Sequence, residues 1–222
     1  MRTAYEITEL VARLDKGEFR RSSRLWSVRA RLALWVSLEI AIALAVAIFA
    51  PRGDLYLRFG TLLYASEIVL FTAAGIVAAE IALRSAIPGR LISAGEIAAF
   101  VAMPAAAIVL VASGPSSTMP LNEFLATGER CLLCTVALAA VPWVLLFVLV
   151  RRGMALREGM TGSMAGAAAF FFTIAVTRLG CPIDGAIHVL TWHVGPAFIA
   201  IALSAIVGNA YLGYKPQVVS TR

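Results

Sequence analysis

Charge is scarce in this sequence: Asp, Glu, Lys and Arg make up 14% of its 222 residues, while 60% are hydrophobic and the mean hydropathy is +0.86. That excludes a soluble globular domain, which at this size has too little interior for so much apolar surface. Cysteine is down to three residues, enough for one pair and a remainder, so a relay built on two thiol pairs is incomplete. Solenoid repeats and low-complexity tracts are missing, which removes repeat and fibrous architectures. No cleavable leader is expected. The first thirty residues are polar and basic, and the long apolar run after them is not followed by a small-residue cleavage site.

What remains is apolar sequence in long blocks. Six runs, near 32–50, 61–83, 91–113, 131–150, 160–178 and 188–211, are each long enough to cross about 30 Å of hydrocarbon as a helix. Lipid leaves unpaired backbone groups without partners, so helices are required. Punctuation falls between the runs: Pro51-Arg52-Gly53-Asp54, Pro88-Gly89-Arg90, Ser113-Gly114-Pro115, Arg151-Arg152-Gly153 and Gly180-Cys181-Pro182. Pro104, Pro142 and Pro196 lie inside runs, where neighbouring helices accommodate kinks. The fold class expected is all-α, an integral membrane bundle of six transmembrane helices.

Orientation follows from the basic residues. Residues 1–31 hold eight Lys and Arg, the loop near 84–90 two, the loop near 151–157 three and the tail two, so fifteen of nineteen share one side. The positive-inside rule then puts both termini in the cytoplasm. The organisation expected is a cytoplasmic N-terminal segment (1–30), a six-helix transmembrane domain (31–212) and a short cytoplasmic tail (213–222).

Cys131, Cys134 and Cys181 all fall near the non-cytoplasmic face, which in a Gram-negative cell is the oxidising periplasm. Cys131 and Cys134 are about one helical turn apart, and Cys181 has either as a candidate partner. His188 and His193 open the sixth run beside Trp192 on the same side. Three readings stand. The plainest is a structural disulfide clipping two helix ends, most simply Cys131–Cys181, with Cys134 a small hydrophobe. A thiol sensor of oxidants or soft metals is the second, with Cys131, Cys134, Cys181, His188 and His193 the candidate ligands. The third is catalysis, in the manner of quinone-linked membrane thiol oxidases.

Toward the amino terminus, Thr3-Ala4-Tyr5-Glu6 has the form of a capping box, and Ile7, Leu10, Val11 and Leu14 follow as one apolar stripe. So short a helix needs a surface, either a protein groove or the bilayer beside Arg20, Arg21, Arg24, Arg29 and Arg31. Within the runs, Glu39 and Glu67 are deep, and Glu80 and Glu96 lie near cytoplasmic ends. The deep pair reads either as a proton or cation pathway or as carboxyl groups packed between helices. Gly162-Ser163-Met164-Ala165-Gly166 is a GxxxG step, suited to packing within the chain or to a homodimer.

Several segments resemble one family: Arg52-Gly53-Asp54-Leu55, "IPGR" at 87–90, "GERCL" at 128–132, Pro142, "RRGMALREGMTGSMAGAAA" at 151–169, "LGCP" at 179–182 and "HVLTWH" at 188–193. Together they run over nearly the whole chain and resemble the NrsF family of six-span bacterial membrane anti-sigma factors. The resemblance implies a protein of the bacterial inner membrane, not an enzyme and without a cofactor beyond a soft metal ion at the cysteines. Its partner would be an extracytoplasmic-function sigma factor, held away from RNA polymerase until a stress signal arrives, with no direct contact to nucleic acid. By position, Cys131 and Cys181 match the family's sensing cysteines, and Cys134 departs from the pattern. Ile7, Leu10, Val11 and Leu14 with Arg20 and Arg21 become the sigma-factor contacts. The competing expectations are a quinone-linked thiol oxidoreductase and an ion or metal transporter using Glu39 and Glu67.

Overall fold

The computed structural model describes residues 26–87, 89, 92–115, 119–153, 155 and 157–212. The expected N-terminal stripe of Ile7, Leu10, Val11 and Leu14, with Arg20 and Arg21, lies outside the described residues, as does the tail from residue 213. Among the described residues all regular structure is helical, and six helices are long and apolar enough to span a membrane. They are the first span Val28–Phe49, second Leu62–Ser85, third Ala94–Ala112, fourth Leu121–Arg151, fifth Glu158–Gly180 and sixth Ala186–Tyr211. A one-turn helix, Leu55–Phe59, sits between the first two.

The fourth span begins ten residues earlier than the hydropathy pattern predicts. Pro120 stands at its N-cap, Glu123 complements the helix dipole in the first turn, and no proline interrupts the stretch from Leu121 to Arg130. Polarity there marks the edge of the lipid, not the end of the helix. Thirty-one residues reach about 46 Å at 1.5 Å each, well beyond a hydrocarbon core of about 30 Å. Cys131 is therefore about three turns inside the helix, not at its mouth.

The fifth span is the axis of the bundle. Every residue from Ala165 to Arg178 is buried, and the second, fourth, sixth and first spans all pack on it. Small residues permit this. A methyl group on Gly162 would overlap the Ser204 carbonyl and Gly208, and one on Gly166 would overlap the Ser204 hydroxyl. The GxxxG step thus serves close packing against the sixth span within one chain. On another face, Gly75 brings the second span against Ala168 and Phe172 of the fifth.

The first span inverts the soluble rule. Its buried residues are Arg31, Trp35 and Glu39, one i, i+4, i+8 stripe, while Leu34, Ile40, Leu44 and Ile48 face outward. Arg31 donates to the Leu149 carbonyl at 3.1 Å and Trp35 to the Pro142 carbonyl at 3.1 Å, fixing this span to the fourth. The Glu39 carboxylate is fully buried with no hydrogen-bond partner among the described residues. Connections cluster at two ends. At the cysteine-bearing end Arg52 N–H donates to the Leu179 carbonyl at 2.9 Å and Ala186 N–H to the Pro115 carbonyl at 3.2 Å. At the opposite end Ser93 and Glu96 form a capping box, and Glu96 also pairs with Arg84.

Candidate functional site

Three segments bring four side chains together. Cys131 comes from the fourth span, Cys181 caps the C-terminus of the fifth, and His188 and His193 stand in the first turns of the sixth. One ligating atom from each lies within 4.8 Å of all the others. The Cys131 and Cys181 sulfurs are 3.7 Å apart, and Cys181 Sγ is 3.8 Å from His188 Nε2. All three cysteines are free thiols. Cys134, one turn further along the fourth span, is exposed and lies outside the group.

Local backbone geometry explains why two histidines five apart can converge. Five residues of α-helix turn the chain about 140° past a full turn, which would aim the rings to different sides. Here the sixth span opens as a four-residue helix, Ala186–Val189, and continues as a π-turn, Leu190–Val194, closed by Gly195 N–H to the Leu190 carbonyl. An i to i+5 turn brings residues five apart close to register. The two rings accordingly sit with centroids 5.7 Å apart, each no more than 2% exposed. Hydropathy carries no sign of this turn.

The added turns of the fourth span form a roof. Phe124 meets the His188 ring edge-on at 6.2 Å and lies 5.6 Å from the Trp192 ring. Gly128 is required beneath it, since a methyl group there would overlap the Trp192 indole.

Cys181 is also held from behind by an ion-pair network. Arg178 donates to Glu67 at 2.8 Å, to Asp184 at 2.9 Å and to the Ile183 carbonyl at 2.9 Å. Asp184 accepts from Arg52 and pairs with Arg58 at 2.8 Å. Arg52 further binds Asp54, and Tyr64 donates to the Arg178 carbonyl at 2.7 Å with both guanidiniums over its ring. The loop from Cys181 to Gly185 is thereby fixed to the segment that follows the first span and to the second and fifth spans. In the loops, hydrogen bonds from Arg52 and then Arg58 hold the Asp54 carboxyl well below its usual range. Burial pushes Asp184 upward, but bonds from Arg52 and Arg178 outweigh it and leave that carboxyl lowered too. The Cys181 thiol is held below its ordinary range by its contact with Cys131, which with His188 and His193 outweighs burial.

Of the expected ligands, Cys131, Cys181, His188 and His193 meet, and Cys134 does not join them. Glu67 is ion-paired with Arg178. The sequence reading passed over Arg178 and Asp184, although a charge at the end of a long apolar run is itself a reason to look for its partner.

No curated protein and no solved structure matches the chain. The profile of one family, described as "Negative regulator of sigma F", matches residues 17–214. That stretch takes in all six spans, the thiol and imidazole cluster and the network behind it. The chain therefore belongs to the NrsF family, the negative regulators of sigma F, a family of regulators of a sigma factor.

Proposed function

We propose that the protein is an anti-sigma factor of the bacterial inner membrane, with both termini cytoplasmic. It captures an extracytoplasmic-function sigma factor through residues 1–30 and releases it when the periplasm-facing thiols are modified. Fifteen of nineteen Lys and Arg on one side support the orientation. The carrying observation is the approach of Cys131 to Cys181 at 3.7 Å beside His188. An oxidant taking two electrons and two protons from these thiols would join them as a disulfide, and a soft metal ion would bridge them as thiolates.

The route to the cytoplasm runs through the first span. Cys131 rides on the fourth span, to which Arg31 and Trp35 bind. Cys181 opens the loop that Asp184 ties to Arg52, just beyond the outer end of that same first span. A change in the Cys131–Cys181 separation shifts these two attachments relative to each other. The first span buries three of its 22 residues, a smaller share than the three of 19 in the third, and it leads directly to the N-terminal segment.

The test is retention of the sigma factor by membranes. Intact protein should retain it, and loss of residues 1–30 should release it. Cys131→Ser and Cys181→Ser should change release on exposure to oxidant or cadmium while the protein stays in the membrane. Retention undiminished without residues 1–30, with no other cytoplasmic loop binding the factor, would overturn the reading.

A further inference from the structure

We propose that Cys131, Cys181, His188 and His193 form a closed four-ligand site for one borderline divalent cation of the zinc kind. The site is the one assigned above to sensing. The inference rests on that reading for its purpose and deepens it by naming what the cluster holds, and its chemistry stands on separate observations.

Spacing is the first. Zinc bound at about 2.3 Å from sulfur and 2.0–2.1 Å from nitrogen in a tetrahedron sets its two sulfurs about 3.8 Å apart and each sulfur about 3.5 Å from nitrogen. The Cys131–Cys181 and Cys181–His188 separations of 3.7 and 3.8 Å are edges of that size. A disulfide alone would need neither histidine.

The second observation concerns His193. Thr177 Oγ1 donates its one proton to the Ile174 carbonyl at 3.0 Å, so toward the His193 Nδ1 at 3.0 Å it can only accept. In the tautomer this arrangement suits, Nδ1 carries the ring proton and Nε2 keeps a bare lone pair. That Nε2 is buried with no hydrogen-bond partner among the described residues. A buried imidazole nitrogen left free, with its opposite nitrogen fixed by a hydroxyl, is the arrangement that supports a metal ligand. Here the π-turn acts as a specificity device, because it swings His193 to the side that His188 faces.

Charge supplies the third. On binding, both thiols give up their protons to solvent, and a dication with two thiolates and two neutral imidazoles sums to zero. A neutral complex avoids the large cost of burying a net charge beside lipid. Four protein ligands leave no open position, as in sites that hold structure together rather than catalyse. The ion would join the fourth span, the end of the fifth and the start of the sixth at one point.

The test uses full-length protein in mild detergent with its thiols reduced. Zinc is titrated against a chromophoric chelator, and cobalt(II) is added separately as a spectroscopic probe. One ion per chain is expected, and the cobalt form should show tetrahedral ligand-field absorption with thiolate-to-metal charge transfer. Cys181→Ser and His193→Gln should each weaken zinc by at least about 100-fold, and Thr177→Val by about 10–100-fold. Cys134→Ser should bind as wild type. Wild-type protein that takes up neither ion stoichiometrically overturns the site, as does unchanged affinity in both His188→Gln and His193→Gln. The wild-type cobalt spectrum decides the matter even if a variant does not fold. Zinc binding by protein whose sigma-factor release ignores Cys131→Ser would keep the site and sink the sensor; thiol-dependent release without metal binding would do the reverse.

Discussion

Arg52 donates to both carboxylate oxygens of Asp184, at 2.8 Å each, across 132 residues of sequence. The pair fastens the loop that follows Cys181 to the segment that follows the first span. Asp184→Asn would leave Arg52 and Arg178, both buried, without their shared charged acceptor. Removing one partner of an isolated buried pair costs about 3–5 kcal/mol; the loss here is smaller, because Arg52 keeps Asp54 and Arg178 keeps Glu67. A clear fall in thermal stability in detergent is expected, with faster alkylation of Cys181; unchanged values for both would show that the loop is held by other contacts.

Acid should loosen the same loop. Asp54 and Asp184 have folded-state pKa values below their ordinary carboxylate range. Their stabilisation is thus fully present above about pH 4, the unfolded value, and is lost as pH falls through the lower folded values. Thermal stability followed from pH 6 downward is expected to hold and then decline below about pH 4. The decline should be smaller in an Asp54→Asn, Asp184→Asn double variant.

Access should outweigh the lowered range of the Cys181 thiol in setting reactivity, because that thiol is buried. Cys134 is exposed, Cys131 intermediate and Cys181 buried, so a maleimide should modify them in that order. Gly128→Leu, by displacing Trp192, should lift the roof and raise the rate at Cys181 without altering Cys134. Mass spectrometry of the labelled peptides reads both outcomes.

The small residues of the fifth span admit no enlargement. Gly166→Leu and Gly162→Leu push directly into Ser204 and Gly208 of the sixth. Overpacking costs typically about 1–3 kcal/mol, and more where backbone is the obstacle. Reduced thermal stability is expected in each, with the oligomeric state unchanged, because the step faces another helix of the same chain.

Much of this was legible in the sequence. Six spans followed from hydropathy, and Cys131, Cys134, Cys181, His188 and His193 were grouped by their falling on one side, of which all but Cys134 meet. Two features were not legible. The fourth span's first ten residues looked like a loop because hydropathy reports the solvent of a segment and not its backbone; Pro120 before Glu123 was the available clue. The π-turn left no mark at all, since Leu190–Val194 reads as ordinary helix. Of the network behind Cys181, Arg52 and Asp54 showed only as punctuation between runs; Arg178 and Asp184 went unread, and the fold alone pairs them.

The fifth helix meets protein on every side, and this changes what its composition must achieve. A segment that touches almost no acyl chain has no need to be oily, so it can be spelled largely in alanine, glycine and threonine. Greasiness in this molecule belongs to the outer ring of helices, and the most interior segment is recognisable by its slenderness.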